Sequence, residues 1–388
     1  MKILDIVTQS VKLEGAISNA VVSFDDHDVS LVAVISDVVR DGKPVVGIGF
    51  NSIGRYAQRG ILMDRIRPRI LGAPPTSLLN ENETAFDPAK VFAVAMKNEK
   101  PGGHGDRASA VGALELAFWD LNAKLQQCPA YVLIAEAAGR PVDDTRVPVY
   151  AAGGYYYPDG ASRTLRDELQ SYLDLGFDAF KIKIGGASEA DDMTRIDEAL
   201  TLCADGSRLA VDANGRFSLP QGLAFGQRIE PYSLRWYEEI GDPLDFAMNQ
   251  AMAHWYDGAI ATGENLFSYQ DVRNLLNFGG MRAGWDIFQM DAGLSYGLTE
   301  YLRIIDLLER NGFSRKQVFP HGGHLINLHI VAGMGLGGCE AYPGVFKPFG
   351  GYPASCPVVE GTVRPSDAPG FGLEEKPDIA AAIGALLT

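Results

Sequence analysis

Residues 209–215 read LAVDANG, residues 234–240 LRWYEEI and residues 259–265 AIATGEN. Each is a short apolar run closed by an acid, and the acids Asp212, Glu238 and Glu264 stand 26 residues apart. That interval fits one strand plus one helix, so the spacing predicts that all three carboxylates meet at the same end of a parallel barrel. Left alone, such a cluster would force at least one acid to hold a proton. A hard divalent ion such as Mg²⁺, which takes oxygen ligands, would relieve it. Glu239 and Asp242 neighbour Glu238, and the sequence leaves open whether Glu238 or Glu239 is the ligand.

Working outward, the same pattern repeats. VPVYAAGG, AFKIKIGG, RLAVDANG, LRWYEEI, AIATGE, DIFQMDAG, QVFPHGG and GLGGCEAY are eight strand-like runs, separated by helical stretches such as DDMTRIDEALTLCA and LTEYLRIIDLLERNG. Eight strands alternating with helices predict an α/β chain built as a modified TIM barrel. In front of it, ILDIVTQSVKL, NAVVSFDD and VSLVAVISDVVRDGKPVVGIGFNS read as antiparallel strands, with Asp41-Gly42 as a hairpin turn. From Gly60 to about Ile134 the pattern is helical, most clearly in RASAVGALELAFWDLNAKL. The Pro- and Gly-rich tail from Tyr352 is expected to leave the barrel and fold back on the first domain. The expected divisions are 1–135 for an N-terminal α+β capping domain, 136–351 for the barrel and 352–388 for the returning tail.

Composition narrows the classes. Hydrophobic residues make up 46% and charged residues 21%, an ordinary globular balance, and no apolar run approaches the ~20 residues of a membrane span. The opening MKILDIVTQSVKLEG alternates polar and apolar residues and reads as a strand rather than a signal peptide, so a cytoplasmic location is expected. Cys128, Cys203, Cys339 and Cys356 lie far apart, without zinc-type or disulfide-framework spacing. A net charge of −15 argues against nucleic acid and anionic membranes as partners. A small anionic substrate would need a local positive site.

Two lysines supply one. Lys181 and Lys183 in FKIKIGG lie two apart in a strand and so share a face. Neighbouring positive charges depress each other's pKa, and a lysine made partly neutral by a second lysine and a nearby cation can act as a general base. Downstream, Asp291, His321 and Glu340 each end an apolar run. His321 follows Asp291 by one barrel unit, so the acid can hold the ring in one tautomer and make a dyad that donates or accepts a proton near neutrality. His324 and His329 read as histidines satisfied within the fold. Glu340 either orients a substrate oxygen or pairs with a basic group. The GxG of VGIGFNSIG lies in a hairpin and AGMGLGG runs into a strand, so neither supports nicotinamide binding.

In barrel order, the set KxK, Asp, Glu, Glu, Asp, His, Glu resembles the enolase superfamily, in its subgroup of mandelate racemase-like and acid-sugar dehydratase proteins. The stretches YAAGGYYYP, AVDANGRF, WYEEIGDPLD, ATGENLFS, LSYGL and PHGGH are most similar to the tartrate dehydratases of that subgroup. The resemblance covers essentially the whole chain. It implies a (β/α)₇β barrel, with a capping domain formed by the N-terminal part and the C-terminal tail. It also implies Mg²⁺ on Asp212, Glu238 and Glu264, Lys183 as the base on one face, the His321–Asp291 dyad on the other, and Lys181 beside the substrate carboxylate. The implied reaction is dehydration of a hydroxylated carboxylate, tartrate to oxaloacetate. Racemisation of a 2-hydroxy acid, or dehydration of another acid sugar, is the alternative. The loop FNSIGRYAQ and the segment NEKPGGHGDR are expected to close over the substrate. Lys100, Asn51, Asn214 and Glu340 are the candidate substrate contacts, and a homo-oligomer is expected. Tartrate-type members carry Asn where this chain has Ile53, which removes one hydrogen-bonding group from the capping loop.

Overall fold

The computed structural model describes residues 1–15, 17–157 and 164–388, so Pro158 of the YAAGGYYYP stretch lies outside them. The chain opens with an antiparallel sheet of β1 (Ile3–Lys12), β2 (Asp28–Arg40) and β3 (Lys43–Phe50), in that order. Asp41 and Gly42 both take positive φ, 51° and 75°, as a tight two-residue hairpin requires. The strand expected over residues 19–26 does not form. The side-chain oxygen of Asn19 accepts from the backbone N–H groups of Val21 and Val22 at 2.9 and 2.7 Å, which turns the chain and competes with a ladder. The segment becomes a loop that carries Val22, Phe24 and His27 to the rim of the candidate site.

The helix Asp106–Gln126 packs on β2 and β3. The GxG of β3 belongs to this contact: a Cβ on Gly49 would stand 2.5 Å from the carbonyl oxygen of Ala113. Two buried acids of the same helix tie the parts of the molecule together. Asp120 accepts from the N–H of Ile48 in β3 and of Phe371 in the tail, both at 2.7 Å. Glu115 accepts from the N–H groups of Leu298 and Thr299, the hydroxyl of Thr299 and the indole of Trp119. It thereby satisfies the first turn of the barrel helix Leu298–Arg310, whose preceding Gly297 has no side chain to cap it.

Eight parallel positions form the barrel. They are β4 (Val147–Gly153), β5 (Phe180–Lys183), β6 (Leu209–Asp212), β7 (Tyr237–Glu238), β8 (Ile260–Thr262), β9 (Ile287–Phe288), the segment at Val318, and β10 (Cys339–Ala341). Val318 bridges Phe288, the N–H of Gly337 donates to Val318, and β10 pairs with β4, so the ring closes. Seven helices, from Leu165–Asp174 to Leu325–Met334, fill the intervals and none lies directly after β10, which gives a (β/α)₇β order. In the tail, β11 (Thr362–Val363) pairs antiparallel with β4, and the helix Pro377–Leu386 packs on β1 and β2. Among the described residues no helix is long and apolar enough to cross a membrane. The expected capping domain on a TIM-like barrel is the observed architecture.

Because Glu115 satisfies donors on both sides of the cap–barrel junction, Glu115→Ala should cost about 3 kcal/mol or more, through several buried groups left without a partner. Urea unfolding followed by circular dichroism measures this, and Glu115→Gln, which keeps one acceptor, should lose less.

Candidate active site

Register assembles the site. Lys183 of β5 lies beside Asp212 of β6, and Asp212 lies beside Glu238 of β7, all at the C-terminal ends of their strands. With Glu264 two residues beyond β8, each of these three acids offers a carboxylate oxygen within 4.8 Å of the others. Asp212 and Glu238 are fully buried. Their alternatives are distinguishable. Trp236 and Glu238 point into the ring, where the Trp236 indole donates to Glu238 at 2.8 Å. Glu239 has left the strand with φ 38° and accepts from Asn265 at 2.8 Å. Alternation along RWYEE carries that distinction, since residues two apart share a face.

The charges are unevenly spread. Lys183 Nζ stands 2.5 Å from Asp212 Oδ2, and Lys181 Nζ stands 2.5 Å from Glu238 Oε1, 2.8 Å from Glu340 Oε1 and 3.8 Å from Asp212 Oδ2. Burial works most strongly against the charge on Lys183, but Asp212, Tyr155 and Glu238 together outweigh it and the pKa ends above lysine's ordinary value. Lys181 lowers it, the expected sign, by a smaller effect. The expected depression of Lys183 is therefore reversed while Asp212 keeps its full charge on the amine. Burial, with the Asp212 and Glu264 charges, pushes Glu238 up to about 8 against the pull of Lys181. Burial and the charges of Glu264 and Asp212 also raise Glu239 well above the carboxylate range. These carboxylates are crowded beyond what two lysines neutralise. Hard oxygen donors in that state fit a divalent cation, and Asp212, Glu238 and Glu264 form a candidate metal site.

His321 sits across the cavity mouth, its Nδ1 at 3.3 Å from Asp291 Oδ2 and its Nε2 at 3.8 Å from Glu264 Oε2. Asp291 is itself fixed by the N–H of Gly293 at 2.8 Å. Burial lowers the imidazole's proton affinity, yet Glu264 and Asp291 raise it further, to about 9. Gly322, with φ 95°, lets the chain turn here: a Cβ would strike Ser52 and Asp291. His324 bonds Ser52 Oγ at 2.9 Å and caps the next helix, and burial pushes it down to about 4 and His329 to about 3. His324 is satisfied as expected, whereas His329 is buried among apolar groups with neither ring nitrogen hydrogen-bonded among the described residues.

A cavity of about 200 Å³ brings Lys183, Glu264, His321 and Asn214 together with Ile53, Arg55 and Tyr342. Asn214 is present, but its amide donates to Asp212 Oδ2 at 3.1 Å, so it orients that acid. Three other expected contacts are not brought to the cavity wall. Asn51 is fully buried, with its oxygen accepting from Ser30 N–H and its amide donating to Arg55 O, because the loop needs it to hold its own backbone. Lys100 lies exposed on a separate cleft beside Glu99, which gathers Arg65, Arg69 and Arg107 around itself. Glu340 is spent on Lys181 and on the N–H of Gly322. Sequence reasoning passed over Arg55, which lines the cavity, donates to Asn265 at 2.8 Å and lies 4.7 Å over the ring of Phe267. Its place in the capping loop FNSIGRYAQ was the available signal.

A family model described as Enolase C-terminal domain-like matches residues 164–379. The L-talarate/galactarate dehydratase of Salmonella typhimurium is 26% identical over 304 residues, 78% of this chain and 70% of its own length. The arabinonate dehydratase of Saccharolobus solfataricus is 25% identical over 60% of each chain. An L-talarate dehydratase from Polaromonas, solved with Mg and L-glucarate, shares the fold at a TM-score of 0.73 and 23% identity, over 98% of this chain and 96% of that one. A racemase from Streptomyces coelicolor, solved with bound magnesium, shares it at 0.76 and 23%, over 98% of both. With a family match over more than half of its length, the chain belongs to the enolase superfamily.

Proposed function

We propose that this protein is a Mg²⁺-dependent dehydratase of a hydroxylated carboxylate, with tartrate, giving oxaloacetate, as the first substrate to try. The observation that supports it most is that a lysine and a histidine face one small cavity whose wall includes Glu264, one of the three acids of the candidate metal site. Dehydratases of talarate, galactarate and arabinonate among the relatives support the same reaction class.

A proton beside a carboxylate is very weakly acidic, and removing it builds a second negative charge. Bound on Asp212, Glu238 and Glu264, Mg²⁺ would supply the positive charge that this requires and would compete with Lys183 for Asp212. Once it has given its own proton to solvent, the Lys183 amine takes the α-proton, leaving the electron pair in an enediolate beside the charge of Lys181. On the other side His321 gives a proton to the β-hydroxyl, the C–O bond breaks, and water leaves. The resulting enol takes up a proton at the β-carbon, loses the one on its 2-hydroxyl, and so becomes a 2-oxo acid. Arg55, rather than Lys100, is the cap cation suited to a second, distal carboxylate, since it is the one that reaches the cavity. Ile53 beside it is buried and offers no hydrogen bond.

Incubation with Mg²⁺ and a panel of hydroxy-diacids and acid sugars, with semicarbazide trapping of 2-oxo acids, tests the reading. One acid should yield a trapped product, and exchange of the α-hydrogen with solvent without any 2-oxo acid would replace dehydration by racemisation. Lys183→Ala should lower turnover by about 10²-fold or more while calorimetry still registers Mg²⁺ binding. The charged ring of His321 makes a separate prediction for the metal-free protein. Its folded pKa of about 9 lies above the ordinary 6.5, so its stabilisation is complete below pH 6.5 and fades as pH rises through 9. Over that window wild type should lose at most about 3 kcal/mol more than His321→Gln in urea unfolding.

A further inference from the structure

The capping domain carries a second cleft, of about 580 Å³, that has no part in the mechanism above. Arg65 and Arg69 stand four apart in the helical run 61–71 and so share one face. Arg107, in the first turn of the helix Asp106–Gln126, meets them across the cleft, and Lys100 lies in the segment that leads into that helix. The carboxylates that line the cleft with them are Glu99 and Asp106. Four positive side chains therefore stand against two negative ones, in a chain whose net charge is −15.

Glu99 is the centre of the group. Its Oε2 lies 3.0 Å from Arg65 Nη2 and 3.1 Å from Arg107 Nη1, and its Oε1 lies 2.9 Å from Arg69 Nη1. These bonds account for Arg107, whose Nε also donates to the Tyr296 hydroxyl at 2.9 Å and whose terminal nitrogens reach the carbonyls of Lys100 and Gly102. They do not account for the others. A guanidinium has five N–H groups. Among the described residues, Arg65 bonds only Glu99, through Nη2, and Arg69 bonds only Glu99 and the carbonyl of Ala95, both through Nη1. Lys100 Nζ has no partner among them. Two guanidiniums and an ammonium that line one cleft thus keep most of their donors unspent.

Converging forks with charge to spare match an oxyanion that carries two negative charges and several acceptor oxygens, which a guanidinium takes in bidentate fashion. We propose that this cleft binds a small divalent oxyanion of the phosphate class, as the free ion or as a phosphate monoester, between Arg65, Arg69 and Lys100. Glu99 gathers the guanidiniums, and the anion completes the neutralisation that the two carboxylates leave unfinished. The site is independent of the dehydratase reading and of the cavity at the barrel's end.

Calorimetric titration of inorganic phosphate into the metal-free protein at about pH 8, where phosphate is a dianion, tests this against sodium chloride at matched ionic strength. Phosphate should saturate one site per chain. Arg65→Gln and Lys100→Gln should each weaken it about fivefold or more, and the two together should abolish it. Arg65→Lys, which keeps the charge and loses the fork, should fall between wild type and Arg65→Gln. Both side chains are exposed, so these variants should fold, and thermal melting followed by circular dichroism checks that they do. Acetate, with one charge, should bind about tenfold or more weakly than phosphate. Glycerol 3-phosphate separates the two sources: binding as tight as phosphate or tighter assigns the site to an ester, and weaker binding assigns it to the free ion. The proposal is overturned if phosphate does no more than chloride, if acetate matches it, or if binding survives the double substitution; its loss in Arg55→Gln would then place the anion in the barrel cavity.

Discussion

Six carboxylates share one end of the barrel: Asp212, Glu238, Glu239, Glu264, Asp291 and Glu340. Lys181, Lys183 and His321 are the cationic groups paired with them, so the acids outnumber the bases two to one. Such an excess in a low-dielectric interior is costly unless protons or a cation offset it. The raised proton affinities of Glu238 and Glu239 reflect that crowding. A divalent ion among the hard oxygens removes the same cost without protonating a ligand. Much of the surrounding architecture follows from managing this cluster. Lys181 is buried to neutralise Glu238 and Glu340, the Trp236 indole is spent on Glu238, and the backbone N–H groups of Asn214, Gly293 and Gly322 are aimed at carboxylate oxygens.

Such a cluster is legible in sequence because a barrel strand ends its apolar run at the layer where the site begins. Asp212, Glu238 and Asp291 each break an otherwise apolar run, and a polar residue there has no packing reason to exist. The strand register that makes Lys183, Asp212 and Glu238 neighbours is a consequence of eight short strands closing a ring. Glu238 and Glu239 could have been separated by alternation alone, since Trp236 and Glu238 share the inner face. The adjacent acids hid this because either residue type is chemically able to bind a cation.

The capping domain was less legible, for a different physical reason. Its contacts with the cavity come from loops, where a single local hydrogen bond decides direction. Asn19 turns a β-prone NAVVSFDD segment into a loop, and Asn51 is consumed holding its own turn. Lys100 has the right charge, but the neighbouring Glu99 draws Arg65, Arg69 and Arg107 together and fixes that segment on another cleft. Arg55, four residues past Asn51, reaches the cavity because Asn265 and the Phe267 ring hold it there. Charge can be read from a sequence, but the side on which a loop places it depends on these few bonds.

The two bases are held in opposite ways, and this asymmetry bears on the reaction. Lys183 has one strong partner, Asp212, and that partner belongs to the acids a cation would claim. A cation held by the acidic cluster would weaken the hold of Asp212 on Lys183 and lower the affinity of the lysine for its proton. His321 has partners on both sides of the cluster's boundary: Asp291 and Glu340 lie outside the candidate metal site, whereas Glu264, the largest of the charges that raise its proton affinity, belongs to it. An exchange of one α-proton between two bases needs both to alternate between bare and protonated states on equal terms. On the dehydratase reading proposed above, the base whose partner lies in the acidic cluster takes a proton at one carbon, and the base with partners outside it delivers one to the oxygen on the next.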